Sequence, residues 1–172
     1  AHTYGIQDCP VIANGLDTSR FYPVSTKRRT ELRKELGLPL DSVIAAYTSR
    51  YAWQKNQKAL IEAVELINTK PLSQKVYALI IGATERNHGE SSEKELREYV
   101  AKKELKDQVG FVNDSLMVEK YLQAADLFVM PTMHPEGMSN SLLEAMATGL
   151  PVVVSDQAVL RCMFPEGQGV FV

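Results

Sequence analysis

Two groups of residues in this sequence have the chemistry to hold a phosphorylated ligand. The first is Arg50 and Lys55, in Ser49-Arg50-Tyr51-Ala52-Trp53-Gln54-Lys55-Asn56. Two cations in a strand-to-helix loop can clamp a diphosphate, Arg through its planar fork and Lys as a point charge. From spacing alone, an ordinary solvated loop is the simpler reading of that pair. The second group is Pro131 to Gly149, PTMHPEGMSNSLLEAMATG. Here Glu136 and Gly137 lead into Ser139, a good N-cap, and an amphipathic helix follows from Asn140. Free backbone N–H groups at the start of such a helix form a ready anion site. Glu144, at i+4 from Asn140, shares a face with the helix entrance, while Leu142, Leu143 and Met146 are placed to pack inward.

The spacing of Glu136 and Glu144 is uninformative, because Glu85/Glu93 and Glu90/Glu98 repeat it in a charged loop and helix. The setting distinguishes the first pair: an apolar run, Pro131, a loop, an N-cap, a helix, then Gly149-Leu150-Pro151 and another apolar run. Absences narrow the chemistry further. There is no G-x-x-x-x-G-K-[ST] and no G-x-G-x-x-G, which argues against a P-loop kinase or a dinucleotide dehydrogenase. There is no Asp-x-Asp pair to hold a metal beside a diphosphate, so no metal ligand is assigned. His2, His88 and His134 have no carboxylate or Ser partner at a recognisable spacing, and His134 reads as a packed or solvated loop residue.

The elements that must position these groups alternate in kind. Strands are expected at Ser42 to Thr48, Val76 to Ile81, Gln108 to Val112, Leu127 to Met130 and Pro151 to Val154, with a last one at Val170 to Val172. Helices are expected at Lys27 to Leu36, ended by Gly37 and Pro39, and at Lys58 to Ile67, Glu93 to Lys103, Leu116 to Ala125 and Asn140 to Thr148. The inner stripe of the second helix reads as Ala59, Leu60, Ala63, Val64 and Ile67, that of the third as Leu96, Tyr99 and Val100. Strands joined through helices imply right-handed crossovers and a parallel sheet, and nearly continuous apolar strands imply one covered on both faces. The expected fold is a single doubly wound, Rossmann-like α/β domain. Ligands of such sheets sit beyond the carboxyl ends of the strands, so the loops that matter are Ser49 to Asn56, Gly82 to Glu90, Asn113 to Leu116 and Pro131 to Asn140.

A chain of 172 residues has room for one ordinary domain. Residues 1–24 lack periodicity and read as a linker with a short edge strand around Cys9 to Ala13; residues 25–172 form the domain proper. The net charge of -2 gives no basic excess for nucleic acid. No run approaches the ~20 apolar residues of a membrane span. Cys9 and Cys162 follow no metal spacing and fit free thiols in a reducing cytosol. The chain starts at Ala1 with no Met and no signal peptide, which suggests a piece of something longer.

Four segments, in order, resemble the large group of retaining glycosyltransferases with the GT-B fold, often called family 4. Val11-Ile12-Ala13-Asn14-Gly15-Leu16-Asp17 with Phe21 is similar to V-I-P-N-G-V-D followed by F, where that family enters its second domain. Arg50 and Lys55 fit G-R-x4-K, with Ser49 in place of Gly. Ala125 to Pro131 fits A-D-x-x-x-x-P. Glu136 to Ala147 fits E-G-x-x-N-x-x-L-E-A-M-A. The resemblance covers nearly the whole chain. It departs from the family at Asn113, often Gly there, and at Met138-Ser139, often Phe-Gly.

The resemblance implies that this is the C-terminal, donor-binding half of a GT-B enzyme. Arg50 and Lys55 would hold the diphosphate of a nucleoside-diphosphate sugar, by default a UDP-sugar. Glu144 would accept hydrogen bonds from the ribose, and Glu136 would touch the donor sugar. The backbone N–H groups of Met138, Ser139, Asn140 and Ser141, after Gly137, would line the sugar and phosphate site. The base would lie against Phe111, Val112 and Asn113. Glu136, Arg50 and Lys55 are thus the expected catalytic residues, with no cofactor beyond the donor. An acceptor saccharide or lipid-linked glycan would be held through an N-terminal domain absent here, so the isolated chain is expected to be incomplete and poorly active. The expected location is cytoplasmic, with peripheral membrane association left open for the full-length protein.

Helix geometry separates the roles of the two glutamates. A retaining glycosidase holds its carboxyls ~5 Å apart, whereas four residues of helix alone span ~6 Å. A nucleophile–acid pair is therefore disfavoured, and positive charge on the leaving diphosphate is the main demand. Two rivals stand beside this reading. A nucleotide-sugar epimerase would carry Gly-rich and His-containing segments that do not occur here. A non-catalytic nucleotide-binding or scaffold domain of the same fold is the main alternative, against which the presence of Arg50, Lys55, Glu136 and Glu144 weighs.

Overall fold

The computed structural model describes residues 13–83, 89–113, 116–164 and 168–172, with no account of the side chains of 89–91. All of the edge strand expected around Cys9 to Ala13 except Ala13 itself, most of the Gly82 to Glu90 loop, and Asp114 and Ser115 lie outside the described residues. In chain order the elements are α1 (Thr26–Glu35), β1 (Val43–Arg50), α2 (Gln57–Asn68), β2 (Val76–Ala83), α3 (Gly89–Lys102), β3 (Val109–Asn113), α4 (Val118–Ala124), β4 (Leu127–Met130), α5 (Asn140–Ala147), β5 (Val152–Val154), α6 (Ala158–Arg161) and β6 (Val170–Phe171).

The six strands form one parallel sheet in the order β3-β2-β1-β4-β5-β6. The chain steps outward from β1 to β3, then crosses back to β4 and steps outward the other way. Right-handed crossovers therefore place α2 and α3 on one face and α4, α5 and α6 on the other. Contacts of α2 with α3, and of α4 with both α1 and α5, agree with this. Ile44 to Tyr47, Ala78 to Ile81, Phe128, Met130 and Val154 are buried at the centre, with Leu60, Ile61 and Val64 of α2 on one side and Leu122, Leu142 and Leu160 on the other.

Several expected boundaries change. β1 runs on through Ser49 and Arg50, which pair with Gly82 and Ala83, because the ladder continues beyond the apolar run that ends near Thr48. Arg50 is thus the last residue of the strand and not part of the loop after it. Trp53–Lys55 form a short 3-10 turn. Helix α3 begins before Glu93, α4 is shorter than expected, and α6, with one buried residue, gives little periodic signal. The period of α2 holds but its face is rotated: Leu60, Ile61 and Val64 are buried, whereas Ala63 and Ile67 are exposed. In α5 the buried residues are Leu142 and Ala145, with Leu143 only half-buried.

Helix α1 buries a single apolar side chain, Leu32, in the core and is otherwise fastened by charge. The buried Arg33 guanidinium donates to the carbonyls of Ala124 at 2.9 Å and Ser42 at 3.1 Å, and to Asp126 Oδ2 at 2.5 Å. Asp126 Oδ2 also accepts the N–H of Ile44 at 2.8 Å. One carboxylate thereby ties α1 to the first turn of the sheet where β1 and β4 meet.

Candidate functional site

The strand order reverses between β1 and β4, and loops leaving their carboxyl ends in opposite directions open a crevice there. A cleft of 290 Å³ occupies that position, lined by Thr48, Ser49 and Arg50 of β1, Gly82 of β2, and Asn140, Ser141 and Glu144 of α5, among others. The structure thus brings Arg50 together with the helix entrance and with Glu144. Asn140 and Glu144 face the same space, as the i+4 spacing predicts. Ser139 caps α5, its hydroxyl accepting the Leu142 N–H at 3.4 Å.

Lys55 and Glu136 are in direct contact. Lys55 Nζ donates to Glu136 Oε1 at 2.6 Å, and Thr132 Oγ1 lies 2.8 Å from the same oxygen. This pair bridges the loops that follow β1 and β4. The second loop is braced by Gln157, which accepts the Glu136 N–H at 3.1 Å and donates to the carbonyls of Thr132 at 3.2 Å and His134 at 3.1 Å. Sequence reasoning missed Gln157, Thr132 and the contact itself, since nothing in local spacing marks a loop glutamine. His134 sits edge-on to the exposed Trp53 ring at 6.1 Å, a packing role.

Tyr51 knits the far side of the crevice. Its buried ring lies across Gly82, where an added Cβ would come within 2.6 Å of the ring, so the strand needs glycine there. Its hydroxyl donates to Asn113 Oδ1 at 3.0 Å. Asn113 in turn donates to Glu93 at 2.6 Å, and the Arg97 guanidinium covers the Phe111 ring at 4.5 Å. Phe111, Val112 and Asn113 therefore stand at the end of β3, two strands or ~10 Å from β1, and do not line the cleft itself. Gly137 and Met138 are exposed in the loop before α5.

Burial pushes the Glu144 carboxyl above the usual glutamate range; Arg20 draws it down and Glu119 pushes it up again. A raised folded-state value means the folded protein holds that proton more tightly. The associated stability is fully present below the unfolded value and is lost as pH rises through the folded one. At neutral pH the carboxylate therefore costs stability where it stands. Glu144→Gln is expected to raise the melting temperature at pH 7, and the gain should fade below about pH 4, where both side chains are neutral. Thermal melts of the two proteins at both pH values check this; a lower melting temperature for the variant at pH 7 would contradict it.

A roomier groove of 460 Å³ lies between α2 and α3, lined by Trp53, Leu96, Tyr99 and Met133. Two of its polar groups are already engaged, Gln57 with Ser49 and the Arg50 carbonyl, and Lys58 with Glu62. Among the described residues each space has a single lining cation, and in this groove it is the paired Lys58. Among the described residues no three His, Cys, Asp or Glu side chains come together as metal ligands, and no helix is long and apolar enough to cross a membrane. Cys162 is an exposed free thiol.

The family model described as Glycosyl transferases group 1 matches residues 28–172. The chain belongs to that family. It is 36% identical over 146 residues to the lipopolysaccharide core biosynthesis mannosyltransferase LpsB of Rhizobium meliloti (strain 1021), covering 85% of this chain and 40% of LpsB. Its fold matches the Anabaena protein HepE, solved in complex with UDP and glucose, with a TM-score of 0.81 and 25% identity over 95% of this chain and 42% of HepE. The C-terminal domain of the group 1 glycosyl transferase LpcC from Francisella tularensis matches with a TM-score of 0.73 and 26% identity, covering 92% of this chain and 80% of that one. The chain therefore spans less than half the length of LpsB and of HepE, and it has the Rossmann-like α/β architecture of GT-B glycosyltransferases.

Proposed function

We propose that this chain is the donor-binding domain of a retaining glycosyltransferase of the family 4 type, with a nucleoside-diphosphate sugar as its ligand and a UDP-sugar as the first candidate. One observation carries the reading: at the point where the strand order reverses, Arg50, the α5 entrance and Glu144 line a single cleft, with the Lys55–Glu136 pair bridging the loops on either side. The UDP and glucose found with HepE support the choice of donor class.

In this reading Arg50 and Lys55 hold the diphosphate, and their charge stabilises the leaving group as the bond from sugar C1 to phosphate oxygen breaks. The N–H groups of Met138 to Ser141 add donors at a helix entrance. Glu144 accepts from the ribose hydroxyls, and Glu136 meets the donor sugar. The acceptor hydroxyl attacks C1 on the face the diphosphate leaves, and the departing phosphate oxygen takes its proton, so configuration is retained. Glu136 Oε1 already accepts from Lys55 and Thr132, which suits a hydrogen-bonding role better than that of a nucleophile. The acceptor, a saccharide or lipid-linked glycan, is held mainly by another domain, so this chain alone binds donor yet transfers poorly: positioning both reactants is worth ~7–11 kcal/mol of barrier.

A thermal-shift panel of UDP, GDP, ADP and their sugars tests the reading. One nucleotide at 100 times its Kd is expected to stabilise the chain by about 2.7 kcal/mol. The shift should survive EDTA, since the diphosphate is held by cations and backbone donors. No shift with any of them, or a shift that EDTA abolishes and Mg²⁺ restores, would contradict this picture of the site.

A further inference from the structure

Asn14 lies in the segment ahead of α1, far in sequence from the cleft, yet it is bonded to the entrance of α5. Its Nδ2 donates to the Met138 carbonyl at 3.2 Å and to Asn140 Oδ1 at 2.8 Å, and its backbone N–H meets Met138 Sδ at 3.2 Å. The chemistry of these groups fixes their orientation. A carbonyl oxygen only accepts, so the Asn14 amide must turn its NH₂ end toward Met138. The second proton of that NH₂ then points at Asn140, and the Asn140 atom receiving it must be the oxygen. Asn140 lines the cleft. Its own Nδ2, unpartnered among the described residues, is left with two unused donor protons.

An unrestrained asparagine amide can offer an anion either two donors or an acceptor lone pair. We infer that Asn14 is a positioning residue for the donor site: it locks the Asn140 side chain with its oxygen engaged, so that α5 presents donors to a bound diphosphate. The same contact occupies the Met138 carbonyl, a further oxygen that would repel a phosphate. This rests on the donor-site reading above and adds that the segment preceding α1 is wired into donor affinity. It also gives a physical use to an asparagine that the sequence marks only as part of a motif.

The test is calorimetric titration of UDP into the chain and into Asn14→Ala, Asn140→Ala, the double variant and Asn14→Asp, with thermal melts of each. Asn14→Ala is expected to weaken UDP binding roughly 3- to 10-fold. That cost should shrink by more than half in the Asn140→Ala background, because Asn14 acts mainly through Asn140 and only the Met138 contact remains. Asn14→Asp is expected to cost more, roughly tenfold or above: a carboxylate only accepts, so it would turn Asn140 around and set a negative charge at the helix entrance. Melting temperatures should barely move, since these bonds are exposed. An equal loss from Asn14→Ala with and without Asn140, or no loss in a chain that binds UDP, would overturn the inference. A wild-type chain that takes up no nucleotide would instead sink the donor-site reading, and the lock itself is then read without ligand. In Asn14→Asp the Asn140 side-chain amide protons should shift downfield in the NMR spectrum as they bond the carboxylate. Unmoved resonances would show that there is no lock.

Discussion

Replacing Lys55 by alanine is expected to weaken UDP binding about 10- to 100-fold while the domain stays folded. A charge-assisted hydrogen bond to phosphate is worth ~1.5–3 kcal/mol, and each 1.4 kcal/mol is about tenfold in affinity. The structure adds a second contribution. Lys55 is bonded to Glu136, so the substitution also leaves a carboxylate without its cation, next to where Lys55 is proposed to meet the diphosphate. The double variant Lys55→Ala/Glu136→Gln separates the two effects, and part of the affinity should return when the negative charge is removed. Stability should fall by only about 1 kcal/mol, because both side chains keep some contact with solvent and Thr132 still donates to Glu136. Titration calorimetry showing unchanged affinity in Lys55→Ala would remove this residue from the site.

Asp126→Ala is expected to produce the largest loss of stability of any single charge change in the described structure, about 3 kcal/mol. Arg33 is only 7% exposed, and without Asp126 its guanidinium keeps two carbonyl acceptors and no counter-charge. Breaking a buried pair from one side costs ~3–5 kcal/mol, and the lower end applies because the Asp126 side chain retains 27% of its exposure. The Ile44 N–H at the start of β1 loses its partner as well. For a domain of this size the melting temperature should drop by roughly 6–12 °C. Asp126→Asn, which keeps an acceptor, should lose less than half as much. Arg28→Ala, which removes an exposed pair with Glu35, should leave the melting temperature almost unchanged. Circular-dichroism melts of the three variants would contradict the account if Asp126→Ala fell no further than Arg28→Ala.

These two cases also show what the sequence reveals and what it conceals. The alternation of apolar runs with amphipathic stretches is a local signal, and it placed β1 to β5 and α1 to α5 nearly where they stand. The shared face of Asn140 and Glu144 follows from helical period alone and holds. Asp126, by contrast, was visible only as a letter in a motif. Its partner Arg33 lies 93 positions earlier, Glu136 lies 81 positions from Lys55, and Asn14 lies 124 from Met138. Contacts at such separations are set by strand order, which no period encodes. The end of β1 is hidden from the sequence for a related reason: hydrogen bonding to β2 carries the strand past the last apolar residue. The face of α2 differs from the expected one by part of a turn because Ile61 and Ala59 are both apolar, and only packing against β2 decides between them.

The central claim is that a nucleoside diphosphate sits between β1 and the entrance of α5. The most direct test is a titration of UDP into the isotope-labelled chain, following backbone amide resonances. The account predicts that the earliest and largest shifts fall at Ser49, Arg50, Gly82 and Asn140 to Glu144, with Lys55 and Glu136 joining them. Shifts centred instead on Trp53, Leu96 and Tyr99 in the groove between α2 and α3, or a spectrum that UDP, GDP and ADP all leave unchanged, would contradict it.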